Sequence, residues 1–454
     1  MNSESGAAKK PWVPWLLGSA AFLVVLPTLM RIPGLQYRWW LFAGLVPLVL
    51  AGCHRAEGRD APTLRALLIG GLAAVAIAFA IPLFRIVQAN IAAPPEFDIQ
   101  QFWLHARVAA QGLNVYEPEH SRNLARSLHS SDAMLAEFYF WYPPPALFLF
   151  IPLGWLSLTA AAGLWYAIQL SALLADGWLL WRLFLRREGA LGAALVAAFI
   201  AMLPATFGTF GFGQLNPLTL LFLLLFWRDR EAPRAGVWLV LAAITKPYAA
   251  FVGLFLLIHR RWKAVGWAGA TTVGAALLTI VVFGPRMFFS YFHSNPMTLH
   301  LENATIPGAV SLAGAFHRLQ GGRLTNAQVL RSPLVLGVEV LLTAVTAWRA
   351  WAAGKLRSDW ALAGMIPLAL LLYPITGAHY GLVLLLPLFF LWSCRNDMPG
   401  GAPLAIGVIT AVYVLTDLQK EAAPMGAFAL FWAALLVPTL RRPESAPAPA
   451  AVPA

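Results

Sequence analysis

Long apolar runs separated by short polar stretches dominate the pattern of this chain. Because a membrane-spanning helix needs about 20 apolar residues, with a range of roughly 17–25, each run near this length predicts a span. The pattern predicts an all-α polytopic membrane protein with about 12–14 transmembrane helices. The candidate spans are 11–30, 39–54, 63–91, 157–184, 190–209, 215–228, 235–247, 248–259, 263–284, 332–352, 359–375, 380–394, 402–417 and 422–440.

The composition supports a membrane protein. The 454 residues are 59% hydrophobic and 11% charged, whereas soluble globular proteins carry about 25% charged residues. The net charge of +12 indicates a positive-inside topology, because the basic residues gather at the ends of the apolar runs. No nucleic-acid partner is therefore expected. Cys53 and Cys394 both lie beside basic stretches assigned to the cytoplasm, so we expect free thiols.

The basic clusters give the chain an orientation. With Lys9 and Lys10 in the cytoplasm, most other clusters fall on the same side, as expected for a multi-pass protein of the bacterial plasma membrane. These clusters are Arg55/Arg59/Arg65, Arg182/Arg186/Arg187, Arg228/Arg230/Arg234, Arg260/Arg261/Lys263, Arg349/Lys355/Arg357 and Arg441/Arg442. Arg31 and Arg38 are exceptions that flank the first outer loop.

Two predicted outer loops, 92–142 and 285–331, are too long to be simple connections, since loops beyond about 12–15 residues are usually functional or disordered. We predict three parts of the chain. They are an N-terminal part with two additional helices (1–62), a membrane domain that holds both loops (63–440) and a Pro/Ala-rich disordered cytoplasmic tail (441–454).

The first outer loop begins with a carboxylate where a span ends. In APPEFDIQQFWLHARVAA, the side chains of Asp98, Phe102, His105 and Ala109 share one helical face, which predicts a helix lying along the membrane surface. Asp98 could cap this helix or act as a general base at a half-desolvated edge, and the two roles are compatible. The segment YPPPALFLFIPLGW (142–155) is too short to span and is expected to be interfacial or re-entrant.

Two later motifs place polar side chains at the ends of spans. In GFGQLN, Gln214 and Asn216 put amides at the mouth of a span, although an ordinary turn would also explain them. Lys246 in ITKPYAAF lies in an apolar stretch, where an ammonium costs about 2.5–3.5 kcal/mol and usually faces a cavity or a partner. Snorkelling to the interface is the alternative. Arg85 in IPLFRIVQAN raises the same question, and both cations suit a phosphate.

Further polar groups are expected at the outer face. His379 in YPITGAHYGLVLLLP lies at a predicted hairpin, where a lone histidine is more often a satisfied polar residue than a catalyst. The loop 285–331 adds Glu302, Asn303 and Arg318. The sequence contains no P-loop, no HExxH zinc motif and no nucleotide-binding glycine pattern. The polar groups thus converge on one face of the membrane.

Taken in chain order, these motifs resemble glycosyltransferase family 87. The segments that carry the resemblance are the Asp98 segment with Gly112 and Tyr116, WYPPPALFLFIPLGWLS, GQLNPLTLLFLLL, KPY followed by HRRWKA, VSLAGAF (310–316) and YPITGAHYGLVLLLP. The resemblance covers roughly residues 63–400. Two features depart from the family: the additional segments 11–30 and 39–54, and Tyr380 where the family commonly has a second histidine after His379.

The resemblance implies a hexosyltransferase of the GT-C architecture, a mannosyltransferase by family. It would move a sugar with inversion from a polyprenyl-phosphate donor to an extracytoplasmic glycolipid or polysaccharide. Asp98 matches the acidic residue of the family's first outer loop and would be the catalytic base. A phosphomonoester leaving group needs less help from a metal than a nucleotide diphosphate does, so no obligatory metal or other cofactor is expected.

The other candidate residues follow from the same resemblance and from their positions on the outer face. The donor phosphate and sugar would be bound by Lys246, Gln214, Asn216, His379, Arg85 and Arg318. The acceptor loop would contribute His105, Tyr116, Tyr142, Glu302 and Asn303. Membrane lipids are the remaining expected partners.

Two other functions compete with the transferase. A lipid or glycan transporter also places polar groups at broken helices, but it predicts inverted internal repeats, and the sequence contains no detectable repeat. A non-catalytic membrane scaffold leaves the ordered motifs unexplained. Loss of sugar transfer without loss of folding in Asp98→Asn would separate the transferase from both.

Overall fold

The computed structural model describes residues 46, 48–50, 52–55, 62–94, 98–128, 140–293, 309–354, 358–398, 402–417 and 423–436. Within these ranges the chain is α-helical, and its one β pairing is a single antiparallel bridge between Ala309 and Gly377. This confirms the predicted all-α class. The candidate span 11–30, the tail 441–454, and the site candidates Glu302 and Asn303 lie outside the described residues.

The α-helices follow one another closely along the chain. They are α1 (Pro62–Ala92), α2 (Asp98–Ala110), α3 (Pro118–Ser127), α4 (Leu147–Gly154), α5 (Leu158–Leu180), α6 (Ala190–Met202), α7 (Pro204–Phe212), α8 (Asn216–Asp229), α9 (Ala235–Thr245), α10 (Leu254–Ile258), α11 (Trp262–Phe283), α12 (Pro285–His293), α13 (Leu312–Leu319), α14 (Asn326–Leu330), α15 (Pro333–Ala353), α16 (Ser358–Leu372), α17 (Leu385–Ser393), α18 (Ala402–Asp417) and α19 (Ala423–Leu436). Short 3-10 turns cover Pro144–Ala146, Arg186–Glu188, Pro247–Gly253, Ala378–Leu384 and Arg395–Asp397, and a π-helical turn covers Trp181–Leu185.

Four helices in the described residues are long and apolar enough to cross a membrane. They are Leu64–Ala92 of α1, Leu158–Glu188 (α5 with its π and 3-10 continuation), α11 and α15. Helices α6 and α7 form a fifth apolar segment that bends by 54° between Met202 and Pro204. A chain with several such helices is a polytopic membrane protein, as the hydrophobic pattern predicted.

Other predicted spans are interrupted where the pattern showed only apolar residues. The region 235–259 forms α9, a 3-10 turn and the five-residue α10. Proline disfavours helical geometry in the residue before it, and Lys246, just before Pro247, is extended at φ −148° and ψ 115°. The region 380–394 is also divided, into the turn Ala378–Leu384 and α17. These breaks bring polar backbone and side chains into an apolar domain, where protein must surround them.

The first outer loop contains the predicted helix, but its environment differs from the prediction. In α2 nearly every side chain is buried, including Ile99, Phe102 and Leu104, instead of one face only. Helix α4 covers the second face, and a Cβ atom on its Gly154 would lie 2.5 Å from the carbonyl oxygen of Ala106. Hydrophobic periodicity shows which face of a helix is apolar. It does not show whether a second helix packs on the opposite face.

The two long outer loops join each other. Asn114 donates a hydrogen bond to the hydroxyl of Ser290 at 2.8 Å, and Arg286 forms an ion pair with Glu117 at 2.8 Å. The rings of Tyr116 and Tyr291 meet edge to face, with centroids 5.4 Å apart. Helix α12 therefore covers the segment that leads from α2 to α3.

Helix α1 is attached to the rest of the domain at both of its ends. At one end the Asn90 amide donates to the Tyr166 hydroxyl at 2.9 Å and to the Phe210 carbonyl at 3.0 Å. At the opposite end Arg65 donates to the Glu188 carbonyl at 2.8 Å. These bonds identify two ends of the domain, which we call the Asp98 end and the basic end.

Candidate active site

The centre of the Asp98 end is the ammonium of Lys246. The side chain is 3% exposed, and its Nζ donates to Gln214 Oε1 at 2.6 Å and to the Tyr142 hydroxyl at 3.4 Å. The same atom lies 4.1 Å from the centroid of the Tyr380 ring, a cation–π contact. These direct partners are neutral, so the hydrogen-bonding groups around the ammonium leave it able to contact a ligand anion.

The residues around Lys246 come from four separate segments of the chain. Tyr142 precedes the turn Pro144–Ala146, Gln214 joins α7 to α8, Lys246 follows α9, and Tyr380 lies in the turn Ala378–Leu384. Each of these segments lies outside a regular α-helix. The side chains that meet at Lys246 are therefore carried by irregular backbone.

The position of Gln214 depends on the glycine before it. Gly213 ends α7 at φ +77° and ψ 30°, a left-handed conformation that glycine adopts without strain. Its carbonyl accepts a hydrogen bond from Trp165 Nε1 at 2.7 Å, which fixes the turn against α5. A Cβ atom on Gly213 would lie 3.3 Å from the Cβ of Ile99.

This contact with Ile99 also places Asp98. Asp98 is the first residue of α2 and is half-buried, and its neighbour Ile99 packs on the residue that precedes Gln214. The charge of the Asp98 carboxylate acts on the Lys246 ammonium and on the hydroxyls of Tyr142 and Tyr380. The structure thus brings together a carboxylate and a cation that are 148 positions apart in the sequence.

Tyr142 is neutral in this cluster, and its hydroxyl oxygen accepts the hydrogen bond from Lys246. Burial raises the pKa of its hydroxyl well above the ordinary value, and the negative charge of Asp98 adds to the rise. The backbone carbonyl of Tyr142 accepts a hydrogen bond from the Tyr116 hydroxyl at 2.8 Å. His105 is buried at 1% exposure, its Nδ1 donates to the Gln101 carbonyl at 2.7 Å, and its ring contacts Phe140. Tyr116 and His105 therefore support the position of Tyr142 rather than face Lys246.

Asn216 and His379 form a second layer beside the cluster. The Asn216 amide donates to the His379 carbonyl at 3.0 Å and to the Thr209 hydroxyl at 2.8 Å. The His379 ring lies 4.7 Å from the Tyr380 ring and 5.3 Å from the Phe212 ring. Asn216 thus fixes the backbone that carries His379 and Tyr380, which is a positioning role.

Three tyrosines were not singled out as site residues from the sequence. Tyr248 stacks on Tyr380 with centroids 5.8 Å apart, and Tyr373 lies 5.8 Å from Tyr248 and 6.4 Å from Tyr380. Together they form an aromatic wall on one side of Lys246. The sequence motifs already contain these tyrosines. KPY ends in Tyr248, and YPITGAHY begins with Tyr373 and ends with Tyr380.

Two predicted phosphate-binding residues lie apart from this cluster. Arg85 is exposed on α1, and none of the described contacts joins it to Lys246. Arg318 on α13 donates to the Ala309 carbonyl at 2.6 Å, and Ala309 forms the β-bridge with Gly377. Arg318 therefore acts on the segment that leads to His379, two residues after Gly377. Among the described residues no group of three His, Cys, Asp or Glu side chains is arranged to hold a metal ion.

Comparison with known proteins places this geometry in a family. The sequence model of glycosyltransferase family 87 matches residues 140–374, just over half of the 454 residues. Gln214, Asn216 and Lys246 lie inside the match, whereas Asp98 and His379 lie outside it. No solved structure matches the chain.

Two curated relatives are from mycobacteria. An alpha-(1->3)-arabinofuranosyltransferase of Mycobacterium tuberculosis is 28% identical over 222 residues, which are 47% of this chain and 48% of the relative. A polyprenol-phosphate-mannose-dependent alpha-(1-2)-phosphatidylinositol pentamannoside mannosyltransferase of Mycolicibacterium smegmatis is 28% identical over 315 residues, 65% of this chain and 73% of the relative. The chain thus spans about half the length of the first relative. The family match, which covers the motifs around Lys246, shows that this polytopic membrane protein belongs to glycosyltransferase family 87.

Proposed function

We propose that this protein is a membrane glycosyltransferase that moves a sugar, most simply mannose, from a polyprenyl-phosphate donor to a glycolipid or polysaccharide acceptor. One observation carries the proposal: the half-buried Asp98 begins α2 beside the contact between Ile99 and Gly213, the residue before Gln214, which holds the buried Lys246. A base and an anion-binding group are what an acceptor hydroxyl and a lipid phosphate require.

The chemistry is a single displacement. Asp98 accepts the proton of the acceptor hydroxyl, whose oxygen forms a bond to the anomeric carbon. The bond from this carbon to the phosphate oxygen breaks, and its electron pair stays on the polyprenyl phosphate. The configuration inverts, and one carboxylate is enough because no glycosyl-enzyme intermediate forms. The proposal includes no obligatory metal, since the positive charge at the phosphate comes from the protein.

Lys246 is the group we assign to the leaving phosphate. Its ammonium is buried among neutral partners, and a charge in such an environment acts more strongly on a developing anion than the same charge in water. Gln214 and Tyr142 hold it in place and can donate or accept beside it. Asn216 and His379 complete the donor side, and Arg318 positions the backbone before His379. Arg85 would reach the donor only from the exposed surface of α1.

The acceptor would approach through the two joined outer loops. Tyr116 and His105 support Tyr142 beside this approach, and Glu302 and Asn303 are acceptor candidates from the sequence. In this proposal the Asp98 end faces the extracytoplasmic side and the basic end faces the cytoplasm, in agreement with the positive-inside rule. The isoprenoid tail of the donor stays in the bilayer.

The two relatives are named for different sugars, so the donor sugar is tested first. The experiment measures transfer by the detergent-purified protein from polyprenyl-phosphate mannose and, separately, from polyprenyl-phosphate arabinose, with a lipid extract of the host as the acceptor. Wild type is compared with Asp98→Asn. Glu119→Gln is the matched control, because Glu119 belongs to the same loop but is exposed and paired with Arg122.

Product from the wild type and from Glu119→Gln, but not from Asp98→Asn, would support the proposed donor class and the base together. Product only from the arabinose donor would keep the mechanism and change the sugar. Equal product from Asp98→Asn would remove Asp98 from catalysis. Movement of an intact fluorescent lipid-linked sugar across proteoliposomes, without transfer, would favour the transporter instead.

A further inference from the structure

A polar pocket of about 270 Å³ lies at the basic end of the domain, where α1 bonds to the turn after α5. Its charged lining consists of Arg65, Arg187 and Arg395 with the single carboxylate of Glu188, and Ser393 and Asn396 add a hydroxyl and an amide. Three guanidinium groups against one carboxylate give the lining an excess of two positive charges. None of these residues takes part in the proposed sugar transfer.

The buried part of the pocket contains an ion pair. The side chains of Arg395 and Glu188 are 4% and 9% exposed and form an ion pair at 2.8 Å. The Arg395 guanidinium also lies 4.4 Å from the centroid of the Trp392 ring. This pair uses the one carboxylate of the pocket, so the charge left for a ligand is that of the other two arginines.

Those two arginines lie at the rim. Arg65 donates one hydrogen bond to the Glu188 carbonyl, and Arg187 is exposed with no described protein partner. The chain reaches this rim through a π turn over Trp181–Leu185 and a 3-10 turn over Arg186–Glu188. Such irregular turns in helices are frequently associated with functional sites.

An apolar groove of about 610 Å³ lies next to the pocket, between α1, α5 and α6. Trp181 lines the groove and Phe184, three residues later, lines the pocket, so the two are separated by about one helical turn, or about 5 Å. The groove opens sideways, because Ile77 and Leu174 on its walls are exposed. Its long axis follows the helices toward the middle of the membrane domain.

The basic end of the groove has the residue types that are typical of the membrane–water interface. Trp178 and Trp181 line its basic end, and the Arg182 guanidinium lies 4.9 Å from the centroid of the Trp178 ring. Tryptophan and arginine together mark the membrane–water interface. An occupant with apolar chains in the groove would therefore have its polar group beside Arg65 and Arg187.

We infer that this pocket and groove bind one anionic phospholipid of the leaflet at the basic end, with its phosphate between Arg65 and Arg187 and an acyl chain in the groove. Charge complementarity selects an anionic over a zwitterionic lipid, and the adjacent groove selects a lipid over a soluble phosphate. The bound lipid joins α1, α5, α6 and the turn after α17, and it stabilises the domain from the side opposite to the sugar chemistry. The inference does not depend on the proposed transferase activity.

The test measures thermal unfolding and native mass spectra of the delipidated full-length protein in detergent. The probes are phosphatidylglycerol, phosphatidylcholine and glycerol 3-phosphate. Arg187→Gln removes a rim charge, and its matched control is Arg186→Gln, since Arg186 is also exposed but does not line the pocket. Ala197→Trp fills the groove, and its control is Ala160→Trp, an exposed position of α5 away from the groove.

We expect phosphatidylglycerol to bind and to raise the unfolding temperature of the wild type, Arg186→Gln and Ala160→Trp. Arg187→Gln should bind it about fivefold more weakly, and Arg65→Gln/Arg187→Gln more weakly still. Ala197→Trp should lose the lipid while keeping its fold. Equal affinity of Arg187→Gln and Arg186→Gln, equal binding of phosphatidylcholine, or full protection by glycerol 3-phosphate would each overturn the inference.

Discussion

Helix α8 runs between two regions that each contain a carboxylate and a basic side chain, in different arrangements. Near its start, the Lys246 ammonium has neutral direct partners, namely Gln214, Tyr142 and the Tyr380 ring. At its end, about 20 Å away along a 14-residue helix, the Asp229 carboxylate accepts hydrogen bonds from Arg228, Arg234 and Trp238.

The difference lies in how completely each charge is paired. Burial disfavours the ionised form of Asp229, but its three hydrogen-bond donors hold its pKa well below the usual range. That carboxylate has no capacity left for a ligand, so the region is structural. Lys246 has neutral direct partners, and the Asp98 carboxylate that acts on it is itself assigned to the proposed reaction. A buried ion is therefore a candidate for chemistry when its direct partners leave it able to contact a ligand.

The largest expected effect concerns Asp98. Asp98→Asn should lower kcat by about 10²–10⁴-fold, because an amide cannot accept the acceptor's proton, and it should leave the unfolding temperature nearly unchanged. The measurement is initial rate of transfer beside a thermal scan of the same sample. A loss of stability as large as that of Asp229→Asn would place Asp98 in the structural class and break the comparison.

Lys246→Met should have the next largest effect. Methionine keeps the apolar volume but removes the ammonium, so kcat/KM should fall by about 10²–10³-fold through lost stabilisation of the leaving phosphate. The control is Arg228→Met at the other end of α8, which should change kcat/KM little. Steady-state kinetics with varied donor decide the outcome, and equal losses in the two variants would contradict the assignment of Lys246.

Asp229→Asn should show the reverse behaviour. Removal of one partner from a buried ion pair is strongly destabilising, but Arg228 and Arg234 have 40% and 65% exposed side chains, so solvent screens part of the interaction. We expect a loss of about 1–3 kcal/mol in unfolding free energy and unchanged turnover per folded molecule. A fall in turnover with intact stability would contradict the structural role.

The pH dependence of the same variant sharpens this test. A carboxylate with a lowered folded pKa stabilises the fold above its unfolded pKa of about 3.9, and this contribution is lost only as the pH falls through the folded value. The difference in unfolding temperature between wild type and Asp229→Asn should therefore be constant from about pH 8 to about pH 5. Below about pH 4 the difference should shrink as the pH falls toward the folded value, and a difference that stays constant down to about pH 3 would show that Asp229 has an ordinary pKa.

The smallest effect is expected for Tyr116→Phe. It removes the hydroxyl that donates to the Tyr142 carbonyl at 2.8 Å and keeps the ring contact with Tyr291. A neutral hydrogen bond contributes about 1 kcal/mol, so kcat should fall less than tenfold, with a small drop in unfolding temperature. A loss as large as that of Lys246→Met would move Tyr116 from a positioning role to direct contact with substrate.

Much of the candidate site was predictable because each motif is local. The pair Gln214/Asn216, the Lys246–Pro247 step and His379 were each recognised as polar groups at the end of an apolar run. Arg85 shows the weakness of this reasoning, since a cation near a span end can equally be exposed to the outside of the domain. Tyr248 and Tyr373 were missed because an aromatic residue in an apolar run has the pattern of a core residue.

The sequence by itself determined that this is an all-α membrane protein, since hydrophobic runs and charge distribution depend only on neighbouring residues. It also indicated where helices break, because Pro247 and Gly213 act on the adjacent backbone. Only the tertiary structure decided that Lys246 lies 2.6 Å from Gln214 and beside Tyr142, residues 32 and 104 positions away. The packing of several helices sets such distances, and no local pattern records which faces meet.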